Sequence, residues 1–557
     1  MAAITPTVGD ISSAALSIGP LQLYGQGSEL PSLTPIHDLP PEVLSHVFEI
    51  ATAPGLTSES SKHLITLCLV CKAWRGAALA HPPLWSSLYV KARFTPRVYD
   101  KVQAWFRRAG TLPKSLAVHA PYHTNCWISP SYLERDLYTF DESVEMRKVC
   151  EFAASYLAKQ LIRGTRLDHL SLYCPSSSCL AWITKRLNLY NAAGAGETTP
   201  WDTLRSLRLA VNSEWGGPSY YDDETQQAVD EMFRTLPPVT SLHVHLPEVE
   251  YLGHVNEQGS DLGKITISNA SLTRLTRLTF DCDWHFETIL DTIRPCLNLV
   301  VLTLHFKNST LSYDPTPDSS HSEFSANVKD VILPQLEILR IRQANPVVLQ
   351  ILRHFDTSIL AELDVSFKFA GFSWNTASAL RECQWQDHIA FYISRSNCLT
   401  TVRRLRLHGV TMSGSVLQGL ITTSFPWVTN LALDCSYIKG PSTVLSLQNL
   451  TTSEEFSDNV PQLRTINLIR STSSSNPRRP ISKTSIAQES WISSPRGSGP
   501  GATPPNPRII TLGRKEMQPP QLENYDTDWS PDPKFDSWNF NTGVRGSLLH
   551  TLEHDYL

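Results

Sequence analysis

The sequence predicts an α/β architecture: a small all-helical unit, then an irregular solenoid of parallel strands and helices, with disordered termini. Two helical apolar patterns occupy residues 36–75, and a short L-x-x-L-x-L pattern recurs between residues 167 and 468. Stretches rich in Ser, Pro and Gly, without a period, lie outside both. These observations divide the chain into a flexible segment 1–33, a helical unit 34–91, a solenoid 92–470 and a largely disordered tail 471–557.

In the helical unit, Asp38 and the prolines at 40 and 41 mark a helix start, and Val43, Leu44, Val47 and Phe48 follow at helical spacing. A polar loop, Ala51 to Ser61, ends that helix. Leu64, Leu67, Val70, Cys71 and Trp74 then predict a second amphipathic helix over His63–Arg75, and His81-Pro82-Pro83-Leu84-Trp85 closes the unit. About fifty residues make too small a core to stand alone, so the unit must lean on a partner.

The repeats follow. Their matches are Leu167-Leu170-Leu172, Leu204-Leu207-Leu209, Val239-Leu242-Val244, Leu275-Leu278-Phe280, Leu299-Leu302-Leu304, Leu336-Leu339-Ile341, Leu360-Leu363-Val365, Val402-Leu405-Leu407, Val428-Leu431-Leu433 and Leu463-Ile466-Leu468. Helical patterns such as Phe286-Ile289-Leu290-Ile293 and Val348-Ile351-Leu352-Phe355 precede several of them, so each unit reads helix, then strand. One such unit cannot cover its own apolar face, whereas stacked units bury a continuous core. The inserts Asn212–Asp230 and Lys307–Asp330 are expected as rim loops, and Val102–Val118 as an atypical first repeat. In the tail, Ile509–Leu512 and the aromatic residues Trp529, Phe535, Trp538 and Phe540 offer a segment that can pack on the last repeat or act as a linear motif.

Net charge is −5 with an isoelectric point near 6.4, a balance that gives no basic face for nucleic acid or anionic membranes. No secretory signal or membrane-spanning run is present, and the 11 cysteines are scattered through apolar segments, which suits a cytoplasmic or nuclear protein with reduced thiols. Cys68-x-x-Cys71 has the spacing of half a zinc site but has no second pair, and both cysteines are expected to pack in a core. No catalytic motif and no metal or cofactor signature is found; acidic loops at Asp222–Glu224 and Asp281–Asp283 are the weak enzymatic alternative.

Leu39-Pro40-Pro41-Glu42-Val43-Leu44 with Val47-Phe48, then Leu67-x-x-Val70-Cys71-Lys72-x-Trp74-Arg75, then Pro83-Leu84-Trp85 resemble the F-box motif in the right order. The whole layout is similar to the F-box and leucine-rich-repeat proteins of mushroom-forming fungi. That resemblance implies an F-box that binds a Skp-type adaptor and through it a cullin, with the repeats recruiting a protein substrate for ubiquitin transfer by other subunits. It implies adaptor-binding roles for Leu39, Pro40, Val43, Leu44, Val47, Phe48, Leu67, Val70, Cys71, Trp74, Leu84 and Trp85. The expected function is therefore a non-catalytic substrate adaptor with no cofactor. The alternative is a leucine-rich-repeat scaffold without a ubiquitin-ligase role.

Overall fold

A computed structural model describes residues 39–52, 58–90, 95–119, 155–174, 177–193, 199–211, 223–245, 266–281, 286–306, 329–344, 346–367, 385–409, 411–434, 437–439, 463–469 and 508–512. The expectations for residues 1–33, 471–507 and 513–557, and for Cys282, Asp283 and Cys435, lie outside those residues.

Three helices open the described chain: α1 Pro41–Thr52, α2 Ser58–Val70 and α3 Lys72–Leu79. A 3-10 turn at Pro82–Trp85 leads into strand β1, Ser87–Val90. Helix α4, Pro96–Arg108, follows, capped by the Thr95 hydroxyl, and then β2, Ser115–His119. Later strands are β3 His169–Cys174, β4 Ser206–Val211, β5 Ser241–His245, β6 Arg277–Asp281, β7 Val301–His305, β8 Val331–Ile332, β9 Ile338–Ala344, β10 Phe355–Asp356, β11 Glu362–Phe367, β12 Arg404–His408, β13 Thr411–Ser413, β14 Asn430–Asp434, β15 Tyr437–Lys439, β16 Thr465–Ile469 and β17 Arg508–Leu512.

Thirteen of these strands form one sheet, parallel throughout, in which each strand adds beside its predecessor in chain order. The four left out pair among themselves, β8 with β10 and β13 with β15. This sequential order is what stacked helix–strand units produce, because a strand that follows its own helix can only join the open edge.

The register explains the leucines. Leu88, Leu116, Leu170, Leu207, Leu242, Leu278, Leu302, Leu339, Leu363, Leu405, Leu431, Ile466 and Ile509 are aligned in one row across the sheet. Because side chains alternate along a strand, this row and the one two residues on share a face, and from β1 to β14 both are buried. The polar residues between them point to the opposite face. The entries of the main-sheet strands from β3 to β16 repeat one device: a carbonyl just before one strand, such as Arg205 or Thr240, accepts the first two backbone N–H groups of the next repeat.

Several expectations change. The array starts earlier than residue 92, since β1 belongs to the sheet, and Arg508–Leu512 extends the sheet beyond residue 470 by pairing with β16. The rim insert 212–230 contains the start of a helix, Asp223–Arg234, whose Met232 and Phe233 are buried. The pattern at Val348–Phe355 forms a 3-10 run, Pro346–His354, and then β10, rather than an α-helix. Among the described residues no helix is long and apolar enough to cross a membrane.

Candidate partner-docking face

Helix α1 divides cleanly into two sides. Leu44, Ser45 and Phe48 point inward, and the Ser45 hydroxyl donates to the Ala77 carbonyl of α3 at 3.2 Å. Val43, Val47 and Ile50, spaced four and three residues apart, stay on the outer side and are exposed. Proline at 41 suits the first helical position, where its missing N–H costs nothing, and the Pro40 carbonyl accepts from Val43 and Leu44.

The second predicted helix is two helices. The chain breaks at Cys71, whose extended backbone lets its Sγ accept the Trp74 N–H at 3.4 Å and cap α3. The Arg75 guanidinium bridges the break by donating to the Cys68 carbonyl at 3.0 Å. Cys71 is therefore an exposed cap rather than a core residue, which corrects the expectation that both cysteines pack inside. Cys68 is half-buried, and burial pushes its thiol up, opposed by Arg108 and Arg75. A protonated thiol is a poor metal ligand or nucleophile. The helix α2 begins at Ser58, so the polar loop is shorter than Ala51–Ser61.

The inner sides of the three helices meet on Leu44, Phe48, Leu64, Ala77 and Ala78, and the Phe48 and Trp74 rings lie 5.2 Å apart. The Trp85 indole N–H donates to the Ala78 carbonyl at 2.8 Å, and its ring meets Trp105 of α4 edge-on at 4.7 Å under the Arg108 guanidinium. Trp105 in turn donates to the Ser87 carbonyl of β1. The small unit thus leans on the first repeats, and its core runs on into the solenoid core without a gap.

The twelve residues singled out from the sequence separate by depth. Leu44, Phe48, Leu84 and Trp85 are buried; Leu39, Leu67 and Trp74 are half-buried; Pro40, Val43, Val47, Val70 and Cys71 are exposed. Sequence reasoning missed Ile50, Ile65, Leu69 and Leu79, which are also exposed. Seven of the twelve large exposed hydrophobic residues among the described residues, Val43, Val47, Ile50, Ile65, Leu69, Val70 and Leu79, fall within these three helices. An apolar surface concentrated in this way marks a protein interface. The signal in sequence was that α1 and α2 carry apolar residues on more than one side.

The polar face of the sheet is a second feature. On β9, β11 and β12, Glu362 lies between Arg340 at 3.3 Å and Arg404 at 3.6 Å, and Asp364 between Arg342 at 2.8 Å and Arg406 at 3.9 Å. Burial pushes the Glu362 carboxyl up, while Arg340 and Arg404 pull it down. Nearer the helical unit, Asp281 of the acidic pair noted in the sequence closes on His245 at 2.5 Å. Desolvation holds His305 at about 4 and His243 well below the usual histidine range. Among the described residues no group of three or more His, Cys, Asp or Glu side chains is placed to hold a metal.

No curated protein matches the chain. The family model F-box-like matches residues 36–91, the segment that contains α1–α3 and their exposed apolar face, and this match supports reading the chain as an F-box protein, a class that generally binds Skp-type adaptors of ubiquitin ligases.

Proposed function

We propose that the chain is the substrate-recognition subunit of a Skp-cullin-F-box ubiquitin ligase, with residues 34–91 as the F-box and the repeats, which run on to the strand Arg508–Leu512, as the substrate body. The observation that carries this reading is the exposed apolar set on α1–α3 within an F-box-like segment. Pro40, Val43, Val47, Val70 and Cys71, with the half-buried Leu39, Leu67 and Trp74, form the contact surface for the adaptor. Leu44, Phe48, Leu84 and Trp85 hold that surface in shape. A protein substrate sits on the repeats.

The chain itself performs no bond chemistry in this role. Holding a target near a charged ubiquitin carrier raises the effective concentration of the acceptor lysine, and other subunits make the isopeptide bond. Such a complex works in the cytoplasm or nucleus. The test is co-purification of the full chain with a Skp-type adaptor, comparing wild type with a Leu39→Ala, Pro40→Ala double variant. Loss of an apolar anchor is worth about 2 kcal/mol, roughly thirtyfold in affinity, so capture should fall sharply. A folded wild-type chain that captures no adaptor sinks the ligase reading in favour of a repeat scaffold.

A further inference from the structure

The two ends of the sheet differ in what closes them. At one end β1 is covered: α2 packs against it, the Trp105 indole donates to its Ser87 carbonyl, and Leu88 and Val90 are buried. At the other end β17 pairs with β16 on one side, and among the described residues no strand pairs with its outer edge. Ile509 and Thr511 stand there in register with Ile466 and Leu468, at the open end of the leucine row. A stack of repeats keeps its core dry only where the last unit is covered, and an unpaired apolar strand edge is a template for aggregation.

The sequence after β17 holds a segment suited to cover it. Leu548, Leu549, Leu552 and Tyr556 fall within about 100° of arc at helical spacing, and His550, Thr551, Glu553, His554 and Asp555 fall outside that arc. Ser547 suits the position before the first turn. A comparable stripe, Ile289, Leu290 and Ile293 on the helix Phe286–Ile293, is buried in the core of the array. Residues 513–546 tether the segment to β17. As a coil, that tether spans about 30 Å, well beyond the roughly 10 Å between a sheet and the layer packed on it. The segment is then held at an effective concentration on the order of millimolar, about a thousandfold above a second copy present at micromolar concentration.

From this open edge, pattern and tether we infer that residues 547–557 dock in cis as a helix on the outer side of β17 and close that end of the solenoid. The helical unit and this segment then cap the two ends of one core. This assignment is independent of the adaptor face on α1–α3. A partner that uses the β17 edge must displace the segment.

The test uses the full-length chain, hydrogen exchange read by mass spectrometry, and molecular mass from light scattering. So short a segment does not hold a helix alone in water, so a synthetic 547–557 peptide exchanges as a coil and slower exchange in the chain reports docking. In wild type, peptides covering 547–557 should exchange about tenfold more slowly than that synthetic peptide, at monomeric mass. They should do so equally in about 0.5 M salt, because the contact is apolar. Leu549→Asp with Leu552→Asp should lose that protection and speed exchange at 508–512 and 465–469, with the helical unit 41–79 unchanged. Leu552→Ala, which keeps helix propensity, should lose part of it. If the doubly charged variant aggregates, the single variant decides, and wild-type protection in it overturns the inference. Exchange of the wild-type segment at the free-peptide rate overturns it too. So does protection that survives the two aspartates, that is lost without any change at 508–512, or that grows with protein concentration as the mass doubles, since a second copy would then be the cover.

Discussion

Replacing the exposed apolar residues of α1 and α2 while keeping the buried ones should remove adaptor binding and leave the fold intact. Val43, Val47, Leu69 and Val70 retain 44%, 41%, 68% and 57% of their surface in the free chain. Together that is about the surface of two whole aliphatic side chains, each worth about 2 kcal/mol when fully buried. The variant Val43→Thr, Val47→Thr, Leu69→Gln, Val70→Thr should therefore lose about 4 kcal/mol of binding, roughly a thousandfold in Kd. The costs of immobilising two proteins are common to wild type and variant and cancel in the comparison. Titration calorimetry against a Skp-type adaptor reads the loss, and a thermal melt reads the fold. Because all four side chains point outward, Tm should stay near wild type. The reasoning is refuted if affinity changes by less than about threefold, or if affinity falls only in step with Tm.

Three further outcomes follow from the interior. Leu302→Ala empties a fully buried place between Leu278 and Leu339 in the leucine row and should cost about 2–5 kcal/mol in chemical denaturation; a cost under about 1 kcal/mol would mean the row does not carry the core. Glu362→Ala takes the carboxylate from between Arg340 and Arg404 and should destabilise by about 3–5 kcal/mol, and Glu362→Leu by less than that if the penalty comes from the buried cations rather than from lost packing. His305 faces Asp281 on β6, Arg342 on β9, His245 on β5 and Arg208 on β4, and burial lowers it from 6.5 to about 4. Its folded value lies below its unfolded value, so the unfolded chain binds the extra proton. Stability is then fully present above about pH 6.5 and is lost as pH falls toward 4, by on the order of 3 kcal/mol. Melts from pH 7.5 to 4.5 should show a shallower decline for His305→Asn, and an unchanged decline would remove His305 as its cause.

The repeat strands were legible because alternation is a local property. The last two apolar places of each L-x-x-L-x-L match lie on a strand and the first lies just before it, and the spacing that suggested burial is the spacing that puts Leu363 and Val365 on one face and Asp364 on the other. Strand β1 escaped notice because Trp85 takes the first leucine place in Trp85-x-x-Leu88-x-Val90. The break at Cys71 was hidden for a related reason: Leu67, Val70, Cys71 and Trp74 keep helical spacing across it, and only the cap geometry ends the helix. Net charge was silent on placement, since a sum over 557 residues does not show that β9, β11 and β12 bring Arg340, Arg342, Arg404 and Arg406 together with Glu362 and Asp364. In the helical unit, sequence spacing named the residues but could not tell their depth. Phe48 and Val47 are neighbours in the motif, yet one is core and the other surface.

Hydrogen exchange of the full-length chain with and without a Skp-type adaptor addresses the docking face most directly, because it locates the contact without altering a residue. The proposal predicts new protection confined to peptides covering residues 39–50 and 64–79, with the strands from β3 to β14 unchanged. Protection that appears on the sheet instead, or an adaptor that leaves the α1–α3 peptides exchanging at their free rates, would contradict it.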